Sequence, residues 1–289
     1  MKPATFDYLA PRTIEETCTH LAEAGGGATL LAGGQTLMPL LALRMSQPFI
    51  IVDINRVAAL HGVKRTADST CIGPITRQNE IIADPTLAAS VPLLVTATRH
   101  VGHHQTRNRG TIGGSIALGE PAAELPATAL ALGAWIEVRS VRGTRRIDIS
   151  EFYLGPYMTV LEPDEVVVSI HVPDWPAGTI HVFREVAQRA GDFALVGLSG
   201  ALTVKDGRVE RAGLAWFGMG PTPMKARQAE QALIGQPVTG LDLKSLAELA
   251  VADSDPFDDH HATAAYRRTV GRRVFANALS EALGRRPTA

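Results

Sequence analysis

Two stretches that pair glycines with hydroxyl and positively charged residues constrain this chain most. They are Ala32-Gly33-Gly34-Gln35-Thr36 and Arg107-Asn108-Arg109-Gly110-Thr111-Ile112-Gly113-Gly114-Ser115. The first follows a short apolar run, Thr29 to Ala32, that reads as a strand. Adjacent glycines let the backbone turn sharply and bring amide donors against a ligand without interference from Cβ. A threonine hydroxyl can donate to a phosphate oxygen, and a helix start adds favourable partial charge. Taken singly, a Gly-Gly pair after a strand is as readily a tight turn. Two such loops, one in each half of the first 175 residues, suffice to grip the two phosphates of a dinucleotide. Neither carries the GxGxxG spacing of a Rossmann fold, and Gly25-Gly26-Gly27 lacks the preceding strand and following helix. No P-loop string occurs. Any dinucleotide is therefore held by a different fold.

The surrounding pattern predicts an α+β chain in two parts. Of 289 residues, 45% are apolar and 20% charged, enough for a packed core. Thr13 followed by Glu16 predicts a capping box, with Ile14, Cys18, Leu21 and Ala22 on one helix face and Gly25 as the stop. Phe49 to Asp53 reads as a strand, Leu93 to His100 as a helix, and residues 109–119 as a glycine-rich loop. Ile136 to Arg139 and Arg146 to Ile149 flank a hairpin turn, and Asp164 to Pro173 is a valine-rich strand. Trp175-Pro176-Ala177-Gly178 reads as a joint, so the predicted domains are 1–175 and 176–289. Beyond it, Asp206-Gly207 predicts a hairpin between Phe193–Val204 and Val209–Phe217. The chain from Pro223 onward is predicted helical, most clearly between Thr263 and Leu283, with residues 285–289 as a frayed tail.

Charge and cysteine content exclude several classes. Lys+Arg 28 against Asp+Glu 29 gives a net charge of -1, without the basic field of a nucleic-acid binder. No apolar run approaches the roughly 20 residues of a membrane span. No hydrophobic signal region follows Met1-Lys2-Pro3, so a cytoplasmic location is expected. The two cysteines, Cys18 and Cys71, fall short of the four thiolates of an iron–sulfur cluster and read as small buried or half-buried thiols. His100, His103 and His104, like His260-His261, have no acidic or thiol neighbour at a recognisable ligand spacing, so no metal site is expected.

At larger scale, both glycine stretches resemble the two FAD-binding motifs of the medium, flavoprotein subunit of molybdenum hydroxylases, the carbon monoxide dehydrogenase and xanthine dehydrogenase family. The first motif extends through Leu31 and Leu37-Met38-Pro39-Leu40-Leu41. Pro121-Ala122-Ala123-Glu124-Leu125-Pro126, Val186-Ala187-Gln188-Arg189, Asp192-Phe193-Ala194-Leu195-Val196-Gly197 and Tyr266-Arg267-Arg268 also match, in order. The segment Ala117-Leu118-Gly119-Glu120 departs from the Ala-His-Ala-Asp frequent in relatives, which leaves acceptor preference open.

The resemblance implies a two-subdomain FAD-binding domain of the PCMH type, followed by a smaller domain of antiparallel sheet plus helices. It implies that Ala32, Gly33, Gly34, Gln35 and Thr36 contact the pyrophosphate or ribityl chain, with Leu31, Leu37 and Met38 packed beside them. Gly110, Thr111, Gly113, Gly114 and Ser115 close on the diphosphate from the other side. Glu124 matches an acidic position that accepts from sugar hydroxyls, although from the residues alone a solvated loop carboxylate is the plainer reading. Val166 and Val167 match a strand lining the cofactor, a role compatible with strand core. Arg184 falls near a lysine that xanthine dehydrogenases place beside the flavin ring, where a cation stabilises charge on the reduced ring. Arg189 and Asp192 read equally as a structural pair in a turn.

The implied function is electron transfer, with no acid–base catalytic residue in this chain. Electrons pass from two 2Fe–2S clusters of a small partner subunit, through FAD, to an external acceptor. A large partner subunit holds the molybdopterin-type molybdenum cofactor, and the assembly is a dimer of heterotrimers. A self-sufficient FAD-dependent oxidoreductase of the same fold is the alternative, and a non-catalytic nucleotide-binding scaffold a second. The first needs its own substrate pocket with acid–base residues; the second predicts colourless protein.

Overall fold

The structure, a computed structural model, describes residues 2–284, and the tail expected at 285–289 lies outside the described residues. Its first layer is a parallel three-stranded sheet. β1 (Asp7–Leu9), α1 (Ile14–Glu23), β2 (Ala28–Leu31), α2 (Leu37–Ala42) and β3 (Ile50–Asp53) alternate, with β3 between the other two strands. Thr13 caps α1 by accepting from the Glu16 amide at 3.1 Å. The Glu16 carboxylate turns back to accept from the Arg12 amide at 2.7 Å, one residue beyond the Thr13 amide of the expected reciprocal bond. Cys18 and Leu21 of α1 bury themselves against Val52 and Ile54.

A second unit follows. It contains β4 (Val63–Arg65), β5 (Ser69–Ile72), α3 (Gln78–Ala83), α4 (Pro85–Ser90), α5 (Pro92–His100), α6 (His104–Arg109), α7 (Ile112–Leu118) and α8 (Glu124–Leu132). β6 (Trp135–Ser140), β7 (Gly143–Asp148), β8 (Tyr153–Gly155), β9 (Met158–Thr159) and β10 (Val166–Pro173) complete it. Its antiparallel sheet runs β4-β5-β10-β6-β7. The segment expected as a glycine-rich loop over 109–119 is therefore largely helical. Thr111 caps α7 by accepting from the Gly114 amide, Ile112 and Ile116 share its buried face, and Gly119 stops it at φ +69°. Glycine is unfavourable inside a helix, but a Cβ on Gly113 would stand 2.4 Å from Pro74 Cβ, so packing overrides propensity.

The last unit is an antiparallel sheet, β11 (Ile180–Val186), β12 (Val196–Lys205), β13 (Arg208–Phe217) and β14 (Met224–Lys225), backed by α9 (Arg227–Leu233), α10 (Leu243–Ala252) and α11 (Ala264–Ala282). Asp206 and Gly207 turn the β12–β13 hairpin with φ of +50° and +72°, the double positive φ of a type I′ turn. The stretch after Pro223, expected to be helical throughout, begins with β14, which closes the sheet edge against β13. No helix among the described residues is long and apolar enough to cross a membrane.

The two halves share a core. All nine residues of α8 are buried, and the cluster around it takes Ala201, Ala215 and Phe217 from the last sheet. Thr128 and Ser199 hydroxyls pair at 2.9 Å, and a Cβ on Gly213 would lie 2.1 Å from the Ala131 carbonyl. A 1–175 fragment leaves the β12–β13 side of α8 in water. It is expected to aggregate or bind a hydrophobic dye where the full chain does not, as measured by dye fluorescence and gel filtration.

Candidate cofactor site

The two glycine stretches meet. A Cβ on Gly33 would stand 2.6 Å from the Arg109 carbonyl oxygen and 2.9 Å from Gly110 Cα, so only glycine lets the loops touch. A polar chain stitches them together. Asn55 Nδ2 donates to the Ala32 carbonyl at 2.8 Å, and Arg77 donates one guanidinium nitrogen to Asn55 Oδ1 and another to the Arg109 carbonyl. Asn55 is itself oriented by Asp53, whose carboxylate accepts from its amide and side chain at 2.9 and 2.6 Å. Burial, then the neighbouring Arg109, lower the Arg77 guanidinium from its ordinary value. Gln78 donates its amide to the Gly110 carbonyl at 2.9 Å, while its side-chain Oε1 is buried with no partner.

On the first rim, Gly34 has φ +70° and is flanked by Leu31 and Met38, whose side-chain carbons lie 3.2 and 3.1 Å from where its Cβ would be. Gln35 folds back so that Nε2 donates to the Gly33 carbonyl at 3.1 Å. Thr36 precedes α2 without a side-chain capping bond, leaving its exposed hydroxyl to a ligand, and Leu37 opens the helix half-buried. On the second rim, Gly110, Thr111 and Gly113 are buried, Ser115 is half-buried and Gly114 exposed. The structure thus joins the two stretches at the contact of Gly33 with Arg109 and Gly110.

Glu124 is not a solvated carboxylate. It opens α8 at 4% exposure, and burial pushes its pKa up to about 8, helped by the charges of Glu185 and Glu120. The sign follows directly. A carboxyl that is neutral in the native state but ordinary when unfolded contributes stability that is complete below about pH 4.5 and lost as pH rises through about 8. The FAD-free chain is expected to lose a few kcal/mol of stability between about pH 5 and about pH 9. Glu124→Gln flattens that slope, read from urea midpoints across the range.

Val166 packs into the core under α1 with Cys18 and Leu21, and its neighbour Val167 points into the larger core on the opposite sheet face. Both are core residues, at 1% and 6% exposure. Arg184 lies on the outer face of β11, where its Nη1 meets Glu281 of α11 at 3.0 Å. The residues on either side of it, Phe183 and Glu185, face the first half instead, against His100. Strand alternation turns Arg184 to the sheet face opposite Phe183 and Glu185. The Arg189 and Asp192 backbones form a turn, with the Asp192 amide donating to the Arg189 carbonyl at 3.1 Å. His100, His103 and His104 line one cavity of about 470 Å³ with Arg99, Arg107 and Glu185. No group of three metal-ligating side chains occurs among the described residues, and both cysteines are free. Asn55, Arg77 and Gln78, which bond to the two glycine stretches, are residues that sequence reasoning missed.

Residues 4–175 match the FAD binding domain in molybdopterin dehydrogenase, and residues 181–282 the CO dehydrogenase flavoprotein C-terminal domain. The chain belongs to that family: it is an FAD-binding medium subunit of the molybdenum hydroxylase type, part of an oxidoreductase. It is 37% identical to the 6-hydroxypseudooxynicotine dehydrogenase complex subunit alpha of Paenarthrobacter nicotinovorans, over 100% of this chain and 98% of that protein. A carbon monoxide dehydrogenase structure from Hydrogenophaga pseudoflava, lacking the Mo-pyranopterin moiety of its cofactor, superposes with TM-score 0.95 at 35% identity, covering 98% of this chain and 99% of that one. Quinoline 2-oxidoreductase from Pseudomonas putida 86 gives TM-score 0.92 at 33% identity, over 98% and 99% of the two chains.

The residues present fit FAD. A pyrophosphate requires close approach of backbone and a nearby cation; the Gly33–Gly110 contact leaves no Cβ between the loops, and the Arg77 guanidinium bonds to the Arg109 carbonyl beside it. The unpartnered Gln78 Oε1 lies against Gly110, 2.5 Å from where its Cβ would be, and the Thr36 hydroxyl makes no capping bond.

Proposed function

We propose that this chain carries electrons from the iron–sulfur clusters of a small partner subunit to an external acceptor, within a complex whose large subunit holds the molybdopterin cofactor. The observation that carries this reading is the stitched glycine seam, which forms a cofactor grip from backbone and hydrogen-bonding groups. Bound FAD supplies the redox chemistry, accepting electrons and passing them on. The chain's own residues hold and orient it: Ala32, Gly33, Gly34, Gln35 and Thr36 form one rim, and Gly110, Thr111, Gly113, Gly114 and Ser115 the other. Leu31, Leu37 and Met38 pack beside the first rim. Asn55 and Arg77 fix the spacing of the rims. Glu124, neutral at pH 7, offers a proton donor as well as an acceptor. The named relatives concern a nicotine derivative, carbon monoxide and quinoline, which supports substrate choice by another subunit.

Two further readings belong to this proposal. The complex is a dimer of heterotrimers in the cytoplasm, and the chain divides near residue 175 into a cofactor-binding unit and a smaller closing unit. Co-expression with the neighbouring genes tests the core of it. Expected is a stable complex containing FAD and iron. A yellow single chain reduced directly by a small organic substrate, without any partner, overturns the relay.

A further inference from the structure

The cavity of about 470 Å³ lies between the halves, walled by the end of α5 and the start of α6 on one side and by the end of β11 and the loop after it on the other. None of residues 31–38 or 110–115 lines it. Three arginines do, Arg99, Arg107 and Arg189. The arginines that form ion pairs among the described residues all lie elsewhere, so no carboxylate meets the charge of these three. Glu185 is the one carboxylate in the wall. Its side chain is only 7% exposed, and its Oε2 stands 3.4 Å from His100 Nδ1, turned to the imidazole rather than to an arginine. Both walls are held in place. Arg107 Nη1 donates to the Val101 and Gly102 carbonyls at 2.8 and 2.9 Å, which fixes the guanidinium. On the facing loop Gly191 has φ +87°, and a Cβ there would stand 2.5 Å from His103 Cε1, so the loop backbone rests on the imidazole. The Asp192 amide closes that loop on the Arg189 carbonyl at 3.1 Å.

We propose that this cavity binds the phosphate group of a small molecule separate from FAD, held between Arg99 and Arg107 of the first half and Arg189 of the second. Like charges gathered on the walls of a cleft focus the field and draw in the opposite charge. Left without a counter-charge they repel one another, and a bound anion relieves that repulsion. Guanidinium groups suit phosphate because their paired N–H donors match its oxygens. The ligand is a phosphate ester rather than the bare ion. A cavity of about 470 Å³ is within the range of roughly 300–1,000 Å³ that small-molecule sites occupy, whereas a phosphate ion fills only a few water volumes of about 30 Å³. Ala187, Ala190 and Gly191 supply the uncharged part of the wall, where short side chains leave room for the body of the ester. Because the three arginines come from both halves, the bound anion ties the loop after β11 to α5 and α6. The site is independent of the FAD reading, since none of its lining residues belongs to the glycine stretches that grip the cofactor.

The test titrates the full chain, with and without FAD, by calorimetry, with inorganic phosphate and glycerol 3-phosphate as probes and chloride as the reference anion. Saturable binding of one ester per chain is expected in both states. Arg99→Gln and Arg189→Gln should each weaken it by at least roughly tenfold, the worth of one charge-assisted hydrogen bond. These substitutions spare Arg107, whose loss would also release the Val101 and Gly102 carbonyls. Arg272→Gln, which removes only a surface pair with Glu248, should bind as wild type does. Saturating glycerol 3-phosphate should raise the Tm of the wild-type chain by roughly 5 °C and that of Arg189→Gln by much less, while the two Tm values without ligand agree. Binding no tighter than chloride, or equal in all three variants, overturns the site. Binding of inorganic phosphate without binding of the ester overturns the ligand class. Binding confined to the FAD-free chain and displaced by FAD assigns the arginines to the cofactor's own phosphates, and overturns a second ligand.

Discussion

Gly33→Ala is expected to weaken FAD binding by roughly a hundredfold while the chain stays folded. The added Cβ would meet the Arg109 carbonyl oxygen at 2.6 Å and Gly110 Cα at 2.9 Å, both backbone atoms that cannot rotate aside. The loops must separate, and the carbonyl that Arg77 holds moves with the second one. A ligand gripped from two rims then loses good geometry on one of them. One or two charge-assisted hydrogen bonds at about 1.5–3 kcal/mol each account for that loss, since each 1.4 kcal/mol is about tenfold. Gly240→Ala serves as the control, because its Cβ would meet nothing closer than Pro237 Cγ at 3.7 Å. Titrating FAD into flavin-free chain by fluorescence quenching separates the two variants. Equal affinity for Gly33→Ala and wild type would mean that the seam is not the grip.

The second large effect concerns stability. Arg267 is buried at 5% exposure on α11 and donates Nη1 to the Leu195 and Gly218 carbonyls at 2.6 and 2.8 Å, and Nη2 to Asp259 at 2.7 Å. Gly218 in turn donates its amide to the Pro121 carbonyl, so this one guanidinium pins α11 to the corner where the last sheet meets the first half. Arg267→Leu leaves two carbonyls and a carboxylate without their donor. A loss of about 3–5 kcal/mol is expected, with Tm lowered on the order of 10 °C. Arg267→Lys should recover only part of it, because an ammonium lacks the planar fork that reaches three acceptors. Thermal unfolding by circular dichroism measures both, and a shift of only a degree or two for Arg267→Leu contradicts this account.

Where local chemistry sets an element, its outline was legible in the sequence. Thr13 capped α1, Asp206-Gly207 turned the β12–β13 hairpin, and the valine run gave β10. The second glycine stretch misled because helix propensity was read without its packing partner, the Pro74 backbone that leaves no room for a side chain at Gly113. Asn55 and Arg77 stayed hidden because their bonds to Ala32 and Arg109 join segments far apart in sequence, with no spacing to betray them. The face on which Arg184 stands depends on strand register, because the period of a strand is two and one position separates the face toward His100 from the face toward Glu281. Glu124 had a usable signal. It heads Leu125-Pro126-Ala127-Thr128-Ala129-Leu130-Ala131-Leu132, a run apolar on every side, and a helix of that kind is buried all round, first turn included.

The most direct measurement is an anaerobic visible spectrum of the intact complex before and after its substrate, compared with the isolated chain. The account predicts flavin and iron–sulfur absorbance that bleach together in the complex, and a flavin in the isolated chain that the substrate leaves oxidised. A complex without flavin absorbance, or an isolated chain whose flavin the substrate reduces unaided, contradicts it.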